Sequence, residues 1–322
     1  MRSTLVPRAL ILVSLLLAPP ANAQYPEKTI RLVLGFTAAG ATDLIARTLA
    51  EHAGRRLGQQ IIVDNRPGAG GNLGTELVAR APADGYTLTL CTIGTCALNA
   101  HIYPKLGYNI ELDFVPVILT GSVSNILTVN NGLPVRSVKD LIALAQTRPG
   151  GLTYASSGVG TSPHLNAELL KDMANIDSVH VPYKGSAPAI IDLRGGQVDF
   201  FFDNAPSILP HIKSGAVRPL AVTGPKRLRE LPHIPTMEEA GFPGFVLTAW
   251  WGVLAPAKTP PAIVVQLNKA MNEALHDPAV QARLSSQAFE VIGGTPQRLA
   301  DHIRAESARW GNLIKSRGIT TE

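Results

Sequence analysis

Short apolar runs alternate along the chain with longer stretches whose apolar residues recur every three or four positions. IRLVLGF opens the pattern as a strand. The loop TAAGATD follows, then LIARTLAEHAGRRLG, where Leu44, Ile45, Leu49 and Leu57 share one helical face. IIVDN, a glycine-rich loop and ELVAR repeat the unit, and a turn at Asp84-Gly85 feeds YTLTL. SVKDLIALAQTRPGG reads as a helix with Ser137 as N-cap and a Pro-Gly-Gly stop. LTYASS leads to a helix capped by Thr161 or Ser162 with Pro163 in its first turn. SVHVPYKG precedes SAPAIIDLRGG, VDFFFDN precedes APSILPHIKSG, and VRPLAVTG ends the run. This alternation predicts an α/β fold of mostly parallel sheets flanked by helices.

Two long apolar segments break the rhythm, VPVILTGSVSNILTVN and FVLTAWWGVLAPA. They read as extended chain crossing between two lobes. The crossings divide the chain into a discontinuous first lobe, 24–122 with 250–322, and a continuous second lobe, 123–249. The helices PPAIVVQLNKAMNEALHD and TPQRLADHIRAESARWGNLIKSRG are expected to pack back onto the first lobe. A mature chain of about 300 residues is long for one core and comfortable for two.

The N-terminus has the form of an export signal, residues 1–23. Arg2 and Arg8 precede the apolar stretch Leu10 to Ala18, and Ala21-Asn22-Ala23 offers a cleavage site after Ala23. The stretch is too short to span a bilayer, and no cysteine near the cut would take a lipid anchor. The expected product is free and periplasmic. Without Arg2 and Arg8, 27 basic residues face 24 acidic ones, a net +3. These charges are scattered, with no run or aromatic interleaving that would suggest nucleic acid. Cys91 and Cys96 are the only cysteines. On an extended strand their Cα atoms would stand about 16 Å apart, which favours two buried thiols; a tight turn at Gly94 would bring them within reach of a bridge.

The candidate chemistry begins with DNRPGAGGNLGTELVA, 64–79, where four glycines fall within seven residues. A dinucleotide fingerprint anchored on Gly68 and Gly70 needs glycine where Leu73 stands, and a P-loop needs a lysine that no glycine here precedes. The string reads instead as a turn at Arg66-Pro67-Gly68 with Asn72 capping the next helix. In sheets of this kind ligands bind beyond the carboxyl ends of the strands, at helix N-termini. Five loops follow strands in that way: 36–43, 65–72, 156–164, 183–186 and 203–207. Their glycines, serines and threonines offer amide and hydroxyl donors, a neutral lining suited to a carboxylate.

Taken singly, Thr42, Asp43, Thr161, Ser162 and Ser186 read better as helix caps; five loops meeting at one cleft favour binding for the group. Catalytic signatures are weak. Gly160-Thr161-Ser162-Pro163-His164 comes nearest to GxSxG but has His in place of the last Gly. HExxH does not occur, and the eight histidines lack ligand spacing, so no metal or cofactor is expected. His164 reads as a first-turn residue bonding across the cleft. Asp203, at the end of VDFFF, reads first as structural and second as an acceptor for a ligand amine or hydroxyl. Lys184 could offer a charge to an acid, and Trp250 and Trp251 read as hinge and core packing ahead of pocket wall.

YPEKTIRLVLGF, ATDLIARTLAEHAGRRLGQQIIVDNRPGAGGNLGTELVARAPADGYTL, YASSGVGTSPHLNAELL, VPYKGSAPAIIDLRGGQVDFFFDN and AWWGVLAPAKTP together cover most of the mature chain. The chain resembles the periplasmic solute-binding receptors of tripartite tricarboxylate transporters, the Bug proteins. The resemblance implies a two-lobed type II periplasmic-binding-protein fold that closes on a small organic carboxylate and delivers it to membrane permease subunits. It implies no catalysis, and a monomer; a sensor protein is a second partner the same cleft would serve. The rival from another class is an exported hydrolase using a serine near His164.

In the family the first strand–helix loop and the SSGxGT loop hold the carboxylate. Here these are Phe36, Thr37, Ala38, Ala39, Gly40 and Ala41, and Ser156, Ser157, Gly160 and Thr161. Asp43 and Thr92 join them from the first lobe, and His164, Tyr183, Lys184 and Asp203 from the second. Two departures fall where substrate choice is decided. FTAAG stands where the family commonly has FPPGG, and both cysteines replace more usual residues near Thr92 and Thr95.

Overall fold

The computed structural model describes residues 25–316 and 318–320; the predicted export signal and its cleavage site lie outside the described residues. β1 (Ile30–Leu34) runs between β2 (Ile61–Asn65) and β3 (Thr87–Thr92), all three parallel. α1 (Ala41–Leu57) and α2 (Asn72–Ala79) make the crossovers. Leu32, Val33 and Leu34 are buried in succession, as expected where helices cover both faces of a parallel sheet. α1 buries Ile45, Ala46, Leu49 and Ala53 and stops at Gly58, whose φ of 71° lets its amide bond back to Arg55 O.

Past β3 the chain coils at once into a wide turn, Gly94–Leu98, and the short α3 (Asn99–Ile102). The expectation of two free thiols is corrected here: Cys91 and Cys96 are joined in a disulfide, with Cα atoms 5.9 Å apart. The strand ends at Thr92, so the turn at Gly94 supplies the approach that an extended chain would deny.

β4 (Phe114–Val129) is the first crossing, a single sixteen-residue strand. Beyond it follow α4 (Val138–Thr147), β5 (Leu152–Ser156), α5 (Ser162–Ala174), β6 (Ser178–Pro182), α6 (Ser186–Arg194), β7 (Phe200–Asn204), α7 (Ala205–Lys213) and β8 (Arg218–Val222). β9 (Thr248–Pro256), α8 (Pro261–Leu275), α9 (Pro278–Ser285), β10 (Glu290–Val291) and α10 (Pro296–Ser316) complete the chain. β5 is parallel to β6 and β7. β4 changes partners partway along. Phe114–Ser124 pair antiparallel with β9, which also pairs with β3, whereas Asn125–Val129 pair with β7 and β8. One strand thus belongs to both lobes. β9 returns alongside it, and α8 and α10 pack onto the first lobe, against α1, β4 and the 94–98 turn.

In VDFFFDN the strand alternation sends Phe200 and Phe202 to one face, where they meet Tyr154 and Phe245, and Phe201 to the other, among Ala189, Ile208 and Val222. Both faces are covered, which explains an apolar run without polar alternation. Among the described residues no helix is long and apolar enough to cross a membrane.

Candidate ligand site between the lobes

β1, β2, β5 and β6 each hand the chain to a helix through a short loop and β7 does so directly, and the N-caps of those helices are Gly40, Gly71, Thr161, Gly185 and Asn204. None of the five uses its side chain to cap the first turn, whereas Ser137 and Asp277 do so for α4 and α9. The cap side chains therefore leave first-turn amides to other partners; at α1 the Ala41 amide is taken by Ser207 Oγ of the other lobe.

The capping roles expected for single residues are not what the hydroxyls perform. Thr161 stands at a cap position, but its Oγ1 donates to Gly158 O at 2.6 Å. Trp251 Nε1 donates to Thr42 Oγ1 at 2.9 Å, and Ser186 Oγ donates to Asp203 Oδ1 at 2.7 Å. Asn72 is the first residue inside α2 and not its cap; its Oδ1 accepts from the Tyr108 hydroxyl at 2.9 Å.

Four of these five loops enclose a cavity, which the 65–72 loop does not line. The first lobe lines it with Phe36, Thr37, Gly40, Ala41, Thr42, Thr92, Ile93, Ala249 and Trp251, the second with Ser157, Thr161, Ser162, Pro163, Ser186 and Asn204. Hydroxyls, a carboxamide and backbone amides dominate the polar part of this wall; none of these residues is Asp, Glu, Lys, Arg or His. The lobes meet around it. Thr37 N donates to Lys184 O at 3.2 Å, Ala41 N to Ser207 Oγ at 2.8 Å, and the Tyr103 hydroxyl to Val159 O at 3.0 Å. A Cβ added to Gly70 would come within 2.0 Å of Val159 O, so a bare backbone is needed at this junction.

Of the predicted residues, Phe36, Thr37, Gly40, Ala41, Thr92, Ser157 and Thr161 lie on the wall. The others stand around or behind it. Ala38 and Ala39 are exposed on the outer side of the first loop. Ala39 has φ 66°, a left-handed conformation costing about 1–2 kcal/mol outside glycine. Its amide donates to Asp43 Oδ2 at 3.2 Å. Asp43 also accepts from Arg47 and Asn65. Burial would raise its carboxyl, but these hydrogen bonds hold it below the ordinary carboxylate value.

Ser156 Oγ accepts from Gly158 N and lies 2.7 Å from His180 Nε2. Gly160 N donates to His164 Nδ1 at 3.3 Å, so His164 braces the loop from beneath. The two imidazoles stack with centroids 4.4 Å apart. Burial lowers His164 to about 4, with Lys171 adding to the effect; burial, then His164, lowers His180 to about 3. Both rings are therefore neutral near pH 7. Ser162 Oγ has the Asn125 amide at 3.5 Å. The Tyr183 hydroxyl donates to Asp192 Oδ2 at 2.5 Å, away from the cavity, and Lys184 points to solvent. Asp203 is fully buried behind Ser186.

Ser186 and Asn204 carry the loop-position signal, but the sequence suggests only a cap for the first and a neighbour of Asp203 for the second; both line the cavity. For Trp251 the sequence favours core packing over pocket wall. It is buried, and it also walls the cavity. It comes from an antiparallel strand, which the strand–loop–helix rule does not cover.

Comparison with known proteins places this geometry in context. The family described as tripartite tricarboxylate transporter family receptor matches residues 45–319. The protein BugT of Bordetella pertussis is 38% identical over 302 residues, covering 94% of this chain and 93% of BugT. The structure of Rhodopseudomonas palustris Rpa4515 with adipate superposes with a TM-score of 0.89 at 42% identity, covering 91% of this chain and 98% of that one. MatC (Rpa3494) from the same organism, with bound malate, gives a TM-score of 0.87 at 32% identity over 90% of this chain and 100% of its own.

Proposed function

The chain belongs to the tripartite tricarboxylate transporter receptor family, and we propose that it captures a small organic carboxylate in the cavity between its lobes and presents the closed complex to membrane permease subunits. The observation that carries this reading is the wall itself: hydroxyl and amide donors from both lobes, at the starts of α1, α5, α6 and α7, with no charged side chain. An acid group held there keeps its charge and is neutralised by many partial dipoles. Phe36, Ile93, Pro163, Ala249 and Trp251 supply apolar surface for its carbon skeleton. Adipate and malate, bound by the similar receptors, are the first acids to try.

The lobes are placed at 24–122 with 250–322 and at 123–249, a division supported by the change of partners in β4 between Ser124 and Asn125. The mature protein is proposed to be a periplasmic monomer, cleaved after Ala23, that binds without turnover. A sensor protein recognising the same closed form is a further partner of this reading.

A melting-shift screen of the purified mature protein tests it, with adipate, malate, succinate, benzoate and aspartate as probes and mass spectrometry of the recovered acids. Binding to the folded state alone raises the melting temperature. Stabilisation by an acid recovered unchanged supports the receptor. No shift with any acid, or turnover that disappears in Ser162→Ala, overturns it.

A further inference from the structure

Asp203 does not line the cavity, yet it is coupled to the cavity by two hydroxyls. Asp203 Oδ1 accepts from Ser186 Oγ at 2.7 Å, and Ser186 Oγ lies 3.1 Å from Ser157 Oγ. Both serines are on the wall. Asp203 Oδ2 has no hydrogen-bond partner among the described residues. We propose that Asp203 sets the direction of this hydroxyl relay, so that a carboxylate is bound together with one proton. The inference rests on the cavity being the carboxylate site.

Each serine has one proton to give, which leaves the relay two senses. An ionised Asp203 can only accept: it takes the Ser186 proton, Ser186 accepts from Ser157, and Ser157 turns lone pairs toward the cavity. A neutral Asp203 donates from Oδ1 to Ser186, Ser186 donates to Ser157, and the Ser157 O–H is released toward the cavity. Within an unbroken relay only the second sense offers a donor to an anion; turning Ser157 O–H to the cavity while Ser186 O–H faces an ionised Asp203 leaves two oxygens 3.1 Å apart with no proton between them. The second sense also avoids placing two negative charges at opposite ends of a short buried chain. The proton belongs on Oδ1, where Ser186 can accept it, because Oδ2 has no partner.

The surroundings favour the neutral acid. Beside Asp203 on the sheet are Ile126 of β4 and Asn204, whose Oδ1 also lacks a partner. Charged groups on the adjoining elements are remote or engaged. Asp192 and Arg194 lie in the last turn of α6, and His211 and Lys213 in that of α7. On α5, Glu168 pairs with Lys171, and His164 accepts from Gly160 N. Asp199, before β7, pairs with Arg148; Asp43 and Arg47 on α1 pair with each other; Arg218 on β8 donates to the carbonyls of Leu133 and Val135. Lys184, before α6, is exposed, and His180 on β6 lies beside Ser156. Burial accordingly pushes the Asp203 carboxyl up to about 7, although hydrogen bonds from Ser186 and the Asn204 amide pull the other way.

The test is calorimetric titration of the mature protein with adipate, malate, succinate and benzoate, each in two buffers of different ionisation heat. The proposal expects affinity to fall roughly tenfold per pH unit above ~7, and proton uptake to approach about one per acid bound by pH ~8.5. In Asp203→Asn the carboxamide can donate permanently to Ser186, so the proposal expects equal affinity at pH ~6 and pH ~8.5 and no extra uptake. Pairing with Ser186 for structure alone would not move either readout. Flat wild-type affinity without proton uptake overturns the relay, as does an Asp203→Asn variant with the wild-type pH profile. Should none of the acids bind even at pH ~5.5, the carboxylate reading itself fails and takes the relay with it.

Discussion

Gly70→Ala separates closure of the lobes from stability of the fold. Gly70 has φ 61°, and an added Cβ would lie 2.0 Å from Val159 O and 2.9 Å from the Tyr103 hydroxyl. Val159 belongs to the second lobe, so relief of the contact requires the lobes to part by more than about 1 Å, given an ordinary carbon–oxygen contact near 3.3 Å. Two costs follow, and they fall on different states. The left-handed backbone costs alanine about 1–2 kcal/mol whether the lobes are open or closed. Overpacking against Val159 costs about 1–3 kcal/mol in the closed state alone. A closed-state penalty of ~2 kcal/mol weakens apparent affinity roughly 30-fold, because the acid binds tightly only to closed protein. Gly58→Ala is the matched control, since Gly58 has φ 71° and nothing lies within 4 Å of its added Cβ. It should lose stability to the same degree and keep its affinity. Calorimetry with whichever acid of the screening panel stabilises most, beside thermal melting of both variants, decides the matter. A Gly70→Ala protein that binds within about twofold of wild type, while melting like Gly58→Ala, refutes the reasoning.

Reduction of the Cys91–Cys96 bridge reopens a loop of only six residues, 91–96, so the loss should be about 2 kcal/mol, or several degrees of melting temperature; an unchanged melt in reductant counts against it. Of the three tryptophans, only Trp251 borders the cavity, so Trp251→Phe should abolish any fluorescence response to a bound acid. It should also cost about 1–2 kcal/mol through the lost bond to the buried Thr42 hydroxyl; a surviving response would place the acid elsewhere. His164, lowered by burial to about 4, takes up its proton in the unfolded chain as pH drops below its ordinary value of 6.5 and in the folded chain only near 4. Its contribution is therefore complete above 6.5 and is lost as pH falls toward 4, by roughly 2 kcal/mol at pH ~5. Urea midpoints at pH ~7 and pH ~5 should show this loss in wild type and a smaller one in His164→Gln; equal losses would contradict it.

The parts legible in the sequence are those that local pattern dictates. Leu44, Ile45 and Leu49 announced a helix by their period, VDFFF announced a strand covered on both faces, and β4 betrayed itself as a crossing by an apolar run too long for one sheet. The strand–loop–helix rule found the five loops. It did not tell a residue that lines the cavity from one that braces a liner, because Ser156 and Ser157 are adjacent and face opposite ways on extended chain. Asp203 stands behind Ser186 for the same reason, its neighbour Asn204 facing the cavity, whereas His164 reaches Gly160 from beneath out of the first turn of α5. The disulfide is not legible because strand geometry ends at Thr92 and the chain then turns, which spacing alone does not show.

The glycine string 68–71 shows why the remainder was illegible. Gly68 and Gly71 answer to their own neighbourhood: an added Cβ would strike Leu73 at the first, and Phe36 and Thr95 at the second. Gly70 answers to a carbonyl on the other lobe, and Gly158 answers back, since its Cβ would come within 3.1 Å of Gly70 Cα. The same exclusion recurs at Gly185 against Thr37, and at Gly94 and Gly160 across the 94–99 turn. Each pair is far apart in sequence, and each is in contact only while the lobes are together. The glycines of this cleft are thus a requirement of the closed state, imposed by backbone at Gly70, Gly94 and Gly158 and by the Thr37 and Asn99 side chains at Gly185 and Gly160. Without a Cβ at these positions the lobes close over the cavity, which leaves its hydroxyls and amides as the groups an acid meets.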